Sequence, residues 1–247
     1  MKAPASAQLQ LLDLQAIDRR IDLARHQRAA LPELAEIAAL EATRQEVDDQ
    51  RRDQQIVVDD LIAAQTKAEA DVELVKVRRT RDRDRIEQGL ITSPKDLEHL
   101  QHELASLDRR ISVLEDEELE VMEQLEEAQG VLAELLQKMS AHEERLAELT
   151  ASRDQKWAAL DADLDAAAAE RVPASAGLPA DLLALYDRLR ESKGGVGAAE
   201  LRARQCGGCR LTIDNAELES IAAAADDLVV RCEECQRILV RTAESGL

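Results

Sequence analysis

Apolar residues recur every three and four positions through the middle of the chain. One repeat covers residues 97–149, and its sixteen positions include two polar residues, Glu118 and His142. A sustained period of 3.5 residues is typical of a coiled-coil helix. A weaker repeat with the same period covers residues 47–86. The two repeats predict two long helices that pack against each other along these apolar positions.

The segment between the two repeats carries the signals of a helix end followed by a helix start. Gly89 suits a helix C-cap, Ser93 suits an N-cap, and Pro94 suits the first helical position. The two helices are therefore predicted to form a long antiparallel coiled-coil hairpin, with its turn near residues 89–94.

Shorter elements are predicted on either side of the hairpin. Helical spacing of apolar residues predicts a first helix over roughly residues 5–31 and another over 180–192. The second arm of the hairpin should end near residues 171–173, because the residue before Pro173 is pushed out of helical geometry. Strand-sized segments follow at 200–205, 228–231 and 237–242. Asp214 is a suitable N-cap for a helix between the first two of these segments.

These elements predict a mostly α fold in which the hairpin is joined to a small β-containing region. Three parts are expected: residues 1–173 with the first helix and the hairpin, a linker and short helix over 174–199, and residues 200–247. The helix at 180–192 should pack with the last part.

All four cysteines lie in that last part, as two Cys-x-x-Cys pairs 22 residues apart: Cys206, Cys209, Cys232 and Cys235. Two such turns are typical of a closed, tetrahedral Cys₄ site that holds one structural Zn²⁺. Redox-active or disulfide-bonded pairs and a rubredoxin-like iron centre are the alternatives. Strand, turn and strand around each pair predict a zinc ribbon. Four sulfur ligands leave no position for substrate or water, so the metal is expected to support structure.

Composition limits the classes of function. The formal charge of −19 disfavours generic binding to nucleic acid or to anionic membranes. No apolar run approaches the length of a membrane span, and the chain is expected in the cytoplasm. We also expect no enzymatic activity and no small-molecule substrate, because no phosphate-binding loop or nucleophile with its base is recognisable.

A short basic run interrupts the acidic background just before the hairpin turn. It holds six cations within residues 76–85, opposed by Asp82 and Asp84. The run is a candidate docking surface for an acidic protein segment or for phosphates. The alternative is a solvated helix face on which arginines and aspartates pair. The six residues are Lys76, Arg78, Arg79, Arg81, Arg83 and Arg85.

The last third of the chain resembles a bacterial family of coiled-coil proteins with a C-terminal C4-type zinc ribbon. The resemblance is carried by three segments: Tyr186-Asp187-Arg188-Leu189-Arg190, Cys206-Gly207-Gly208-Cys209, and the sequence from Val229 to Leu239. One departure is Gln236, where the family pattern usually has glycine, so this position should be strained or its turn remodelled. The resemblance implies non-catalytic adaptors, and some members are linked to the sigma factor sigma-54 and to flagellar gene expression.

The sequence therefore predicts a non-enzymatic adaptor that binds a protein partner through its hairpin and ribbon, in the regulation of transcription or assembly. One alternative is a module that binds RNA or DNA through the basic run and the ribbon arginines, which are Arg202, Arg204, Arg210, Arg231, Arg237 and Arg241. Another is a relative of the bacterial factors that insert a coiled-coil tip into RNA polymerase. Those tips look acidic, whereas this one follows a run of arginines.

Overall fold

The computed structural model describes all 247 residues, which form five α-helices and four β-strands. The helices are α1 (Ala5–Ala29), α2 (Pro32–Glu87), α3 (Pro94–Ala176), α4 (Ala180–Ser192) and α5 (Asn215–Ala223). The strands are β1 (Ala198–Arg202), β2 (Gln205–Cys206), β3 (Val230–Arg231) and β4 (Ile238–Arg241). None of the helices is long and apolar enough to span a membrane. The mostly α fold with a small C-terminal sheet is confirmed.

The chain packs as two compact units. Residues 36–149 form the first, which we call the hairpin unit, and residues 1–35 with 150–247 form the second, the head unit. The division of the chain at residues 173 and 199 stays a prediction.

In the hairpin unit, α2 and α3 pack antiparallel along the two apolar repeats. All sixteen positions of the repeat over 97–149 are buried or half-buried. Val58, Leu125 and Ala128 form a buried cluster in the middle of the hairpin. Beside it, Gln54 on α2 donates a hydrogen bond of 3.0 Å to the carbonyl oxygen of Ala128 on α3. The coiled-coil prediction is confirmed.

The turn of the hairpin follows its predicted capping signals. Gly89 has a φ of +67°, the left-handed conformation that glycine adopts at the end of a helix. The amide of Leu90 donates to the carbonyl of Arg85 at 3.2 Å, which satisfies one of the last carbonyls of α2. Pro94 begins α3, and the amide of Leu97 bonds back to the carbonyl of Ser93 at 3.1 Å.

The head unit is built around a core shared by α1, α4 and the sheet. Leu11 and Leu14 of α1 contact the buried face of α4, where Leu182 and Tyr186 are inaccessible to solvent. Ile238 of β4 completes this core from the sheet. The observed bounds of α4 are those predicted for the helix at 180–192, and α4 packs against the sheet through this core.

The end of α3 differs from the prediction. The helix continues through Pro173 to Ala176 instead of ending at residues 171–173. Proline removes one backbone hydrogen bond to the preceding turn, so the helix is locally weakened at this position. Ala174 packs against the core of the head unit, and this burial favours continuation of the helix.

The four strands form one sheet in the order β2, β1, β4, β3. β1 pairs with β4 in parallel, while the β1–β2 and β3–β4 pairs are antiparallel. The strand predicted over residues 200–205 is divided, because Ala203 and Arg204 have φ values of +47° and +66° and make a tight turn between β1 and β2. The amide of Ala203 is held by the carbonyl of Glu244 at 2.8 Å.

Candidate metal centre

The four predicted cysteine ligands come together at one end of the sheet. Their sulfur atoms all lie within 4.8 Å of one another. Cys206 Sγ is 3.8 Å from Cys235 Sγ, and Cys209 Sγ is 3.9 Å from Cys232 Sγ. A tetrahedral zinc ion with Zn–S bonds of about 2.3 Å requires sulfur atoms about 3.8 Å apart. The donor set and its spacing therefore fit one structural Zn²⁺.

The two Cys-x-x-Cys turns share one backbone hydrogen bond and one left-handed residue. The amide of Arg210 donates to the carbonyl of Cys206 at 2.7 Å, and the amide of Gln236 donates to the carbonyl of Cys232 at 2.8 Å. The residue after each second cysteine is left-handed, with φ values of +65° at Arg210 and +64° at Gln236. The strain predicted at Gln236 is thus present, and sequence reasoning missed the equivalent strain at Arg210.

Hydrogen bonds hold Gln236 in this conformation although it is not glycine. Its side-chain amide donates to the carbonyl of Glu233 at 2.8 Å, and its own carbonyl accepts from Arg231 Nε at 2.9 Å. No side-chain hydrogen bond or ion pair supports Arg210. The left-handed backbone at Arg210 is therefore the less compensated of the two.

Burial makes an unpaired thiolate unfavourable at two of the four positions, Cys206 and Cys232. Burial raises the pKa of the Cys206 thiol and raises that of Cys232 to about 12, although backbone amides donate to both sulfur atoms. Burial also opposes ionisation of Cys235, but hydrogen bonds from the backbone and side chain of Arg237 lower its pKa to about 7. Because four thiolates repel one another, the site requires a cation to hold them all ionised.

Arg237 links the metal centre to α4. Its Nε donates to the carbonyl of Val196 at 2.9 Å, and its Nη2 donates to the carbonyl of Lys193 at 2.6 Å. Its Cδ lies against Gly208, where an added Cβ would be only 2.7 Å away. Glycine at this position therefore lets the Arg237 side chain cross the first turn. This role was not predicted from the sequence, which placed Arg237 among residues that could bind nucleic acid.

Most of the other ribbon arginines are also used within the chain. Arg241 donates to five backbone carbonyls around the end of α5, the shortest at 2.8 Å. Arg204 Nη2 donates to Asn215 Oδ1 at 2.8 Å, and Arg202 Nε lies 2.9 Å from Glu244 Oε2. These bonds help to assemble the head unit, so these side chains are less available to an external partner.

The basic run lies on α2 close to the turn of the hairpin unit. Three of its six residues form ion pairs with carboxylates on α3, which link the two arms of the hairpin. These pairs are Lys76–Glu115 at 2.6 Å, Arg79–Asp108 at 3.1 Å and Arg78–Glu103.

The rest of the basic run surrounds one buried carboxylate. Asp82 occupies a position of the apolar repeat and is 2 % exposed. Its oxygens lie 3.3 Å from Arg81 and 3.7 Å from Arg85, and Arg78 is at 3.9 Å. Arg83 alone among the six forms no ion pair. The structure thus brings the predicted residues together, but five of the six form ion pairs within the hairpin unit.

A second buried carboxylate lies in the head unit and was not identified from the sequence. Asp18 of α1 is 1 % exposed and accepts from Arg171 Nε at 2.7 Å and from the Tyr186 hydroxyl at 2.8 Å. Arg190 Nε lies 3.4 Å from the same carboxylate. Burial is the main cause that raises the pKa of Tyr186, and the hydrogen bond to Asp18 raises it further, so the phenol stays protonated. This cluster joins α1, α3 and α4. It gives a structural role to Tyr186 and Arg190, two residues of the segment over 186–190 that carries the family resemblance.

Comparison with known proteins agrees with this architecture. Residues 14–194 match the CT398-like coiled coil hairpin domain. The chain belongs to this family. Residues 205–239 match the C4-type zinc ribbon domain, which includes all four cysteines. The resemblance inferred from the sequence is therefore confirmed.

Relatives of this protein match it over nearly their whole length. A protein of Mycobacterium tuberculosis described as uncharacterized is 36% identical over 241 residues, or 98% of each chain. A solved structure from Mycobacterium smegmatis is 36% identical with a TM-score of 0.84, and the match covers 98% of this chain and 100% of that one. The structure of CT398 from Chlamydia trachomatis shares the fold, with a TM-score of 0.67 at 17% identity over 96% and 98% of the two chains.

Proposed function

We propose that this protein is a non-enzymatic adaptor that binds a protein partner through the tip of its hairpin and through its zinc ribbon. The closed Cys₄ centre supports this proposal because all four metal positions are filled by protein sulfur. A role in the regulation of transcription or assembly, in the cytoplasm, is supported by the resemblance to the coiled-coil zinc-ribbon family. The relatives described above bear names that assign no partner.

One observation carries the proposal: the hairpin unit displays cations at its turn that no carboxylate of the chain neutralises. Arg83 and Lys95 are exposed and form no ion pair. Leu90 lies between them in the sequence and is 63% exposed. We call these three residues the tip surface. Exposed cations beside an exposed leucine suit an acidic protein segment with an apolar anchor.

The bonds made by the ribbon arginines weigh against the nucleic-acid alternative. Arg237 and Arg241 donate to backbone carbonyls, so they are not free to pair with phosphates. The chain also holds one tryptophan, one tyrosine and no phenylalanine for base stacking. A protein partner is therefore the better supported proposal.

The test is affinity purification of partners after nuclease treatment. The variant Arg83→Glu/Lys95→Glu reverses the two free cations of the tip surface. The control Arg109→Glu/Lys138→Glu makes the same charge change at two exposed, unpaired cations elsewhere on α3. We expect one defined protein to bind the wild type and the control but not the tip variant.

Two outcomes would contradict the proposal. If the partner is retained by the tip variant, the tip surface is not the binding site. If all binding disappears with nuclease and falls steeply with salt, the nucleic-acid alternative holds instead.

A further inference from the structure

A shallow groove runs along the hairpin unit between α2 and α3, away from the tip surface. It has a volume of about 660 Å³. Leu61, Ala64 and Ala128 lie in it, and Val57 and Val131 form its apolar walls, with both valines more than 40% exposed. The two alanines create the depression, because their side chains are too short to fill the space between the helices. The groove therefore offers apolar surface that no part of the hairpin unit covers.

The spacing of the lining residues suits a helical occupant. Positions 57, 61 and 64 on α2 and positions 124, 128 and 131 on α3 each follow the i, i+4, i+7 spacing of one helix face. Seven residues of α-helix extend about 10 Å, so the groove offers two helical turns of contact. A third helix lying along it would place its own side chains of i, i+4, i+7 spacing between the two walls.

The charge around the groove specifies the chemistry of the occupant. Asp60 and Glu127 line the groove, are exposed, and form no ion pair within the chain. Residues 53–75 contain six carboxylates and one cation, Lys67, whereas residues 116–137 contain eight carboxylates and no cation. Of these carboxylates only Glu117 is paired, with Arg110 at 3.9 Å. A cationic partner would neutralise charges that the protein itself leaves unpaired.

We propose that this groove binds a cationic amphipathic helix of a partner protein. Apolar side chains of the helix contact Val57, Leu61 and Val131, and its lysines or arginines pair with Asp60 and Glu127. A second copy of this chain is disfavoured as occupant, because it would bring the same acidic hairpin against the groove and like charges would repel. The proposal does not depend on the tip surface, which has the opposite charge.

The test measures binding of a synthetic peptide to the full-length, zinc-loaded protein. The probe is a fluorescent, end-blocked Leu/Lys helix with leucines at i, i+4 and i+7, followed by anisotropy at physiological salt. One control peptide replaces the lysines with glutamates and another replaces the leucines with serines. We expect the Leu/Lys peptide to bind at least about tenfold more tightly than either control, because charge and apolar contact are both needed.

Matched protein variants place the peptide in the groove. Asp60→Lys/Glu127→Lys reverses the carboxylates that line it, whereas Asp59→Lys/Glu126→Lys makes the same change one residue away on the side of each helix that does not line the groove. All four residues are exposed, so both variants should keep the helicity of the wild type. We expect the first variant to weaken binding about tenfold or more and the second less than about threefold.

Equal losses in the two variants would show that the peptide follows the general acidic field, and the proposal would be wrong. Unchanged binding by Val57→Ser/Val131→Ser would also overturn it, because the apolar walls would then play no part. Sedimentation of the protein alone provides the last check. A dimer abolished by Asp60→Lys/Glu127→Lys would identify a second copy, and not a cationic partner helix, as the occupant.

Discussion

Replacement of Asp18 by alanine should destabilise the head unit far more than loss of an exposed aspartate that contacts the same arginine. Asp18 is buried and accepts from Arg171 and from Tyr186 at 2.7 and 2.8 Å. Asp187 also pairs with Arg171, at 2.9 Å, but its side chain is 48% exposed. Asp187→Ala is therefore the matched control for Asp18→Ala.

The expected magnitude follows from the environment of each partner. Removal of one member of a buried ion pair costs about 3–5 kcal/mol, because the remaining charge is left buried without a partner. The Arg171 and Arg190 side chains are 31% and 22% exposed, so water can partly replace the lost carboxylate. They also keep ion pairs with Asp187 and Asp22, which places the loss at the lower end of this range. We therefore expect a loss of about 3 kcal/mol for Asp18→Ala and below about 1 kcal/mol for Asp187→Ala.

Urea denaturation followed by tryptophan fluorescence measures both variants. Trp157 is the single tryptophan and lies in the head unit, where its ring is 4.6 Å from Arg28 and 4.8 Å from Arg153. Its emission therefore reports the unfolding of this unit. Losses for the two variants that agree within about 1 kcal/mol would refute the reasoning, because Asp18 would then contribute no more than a surface ion pair.

Two further predictions concern the head unit. Because the folded protein raises the pKa of Tyr186, mainly through burial, unfolded chains lose the phenolic proton near pH 10 while folded chains keep it. The free energy of unfolding should thus fall as pH rises above about 10, and it should fall less steeply in Tyr186→Phe. Urea denaturation at each pH measures it, and an equal fall in the wild type and the variant would contradict this. In the ribbon, Arg210→Gly should stabilise by up to about 1 kcal/mol by relieving the left-handed backbone. Gln236→Gly should gain less stability than Arg210→Gly, because it loses the side-chain hydrogen bond to Glu233. Denaturation of the zinc-loaded protein measures both variants. A larger gain for Gln236→Gly would show that the hydrogen bonds of Gln236 contribute nothing.

Features that depend on neighbours in the sequence were predictable. The apolar repeats identified the buried positions of the hairpin, because the period of a helix fixes which side chains share a face. The caps at Gly89 and Pro94 and the N-cap at Asp214 depend on a few adjacent residues, and Asp214 does accept from the amide of Glu217. The cysteine spacing likewise identified all four members of the metal centre.

Features that depend on distant residues were not predictable from these patterns. The parallel pairing of β1 with β4 and the contact of Asp18 with Tyr186 join residues far apart in the sequence. The ribbon arginines have the composition of a cationic surface, yet Arg237 and Arg241 have partners supplied by the folded backbone. The turn at Ala203 and Arg204 lacks the glycine or asparagine that usually marks such a turn, because distant backbone groups hold it.

The four sulfur atoms predict that one zinc ion maintains the ribbon of this protein. Native mass spectrometry of freshly reduced protein, before and after chelation, tests it most directly. We expect one zinc per chain in the wild type, none in Cys206→Ser/Cys232→Ser, and far-UV helicity largely kept in both, because the helices contain no metal ligand. Absence of metal from the reduced wild type, or iron in place of zinc, would contradict the account.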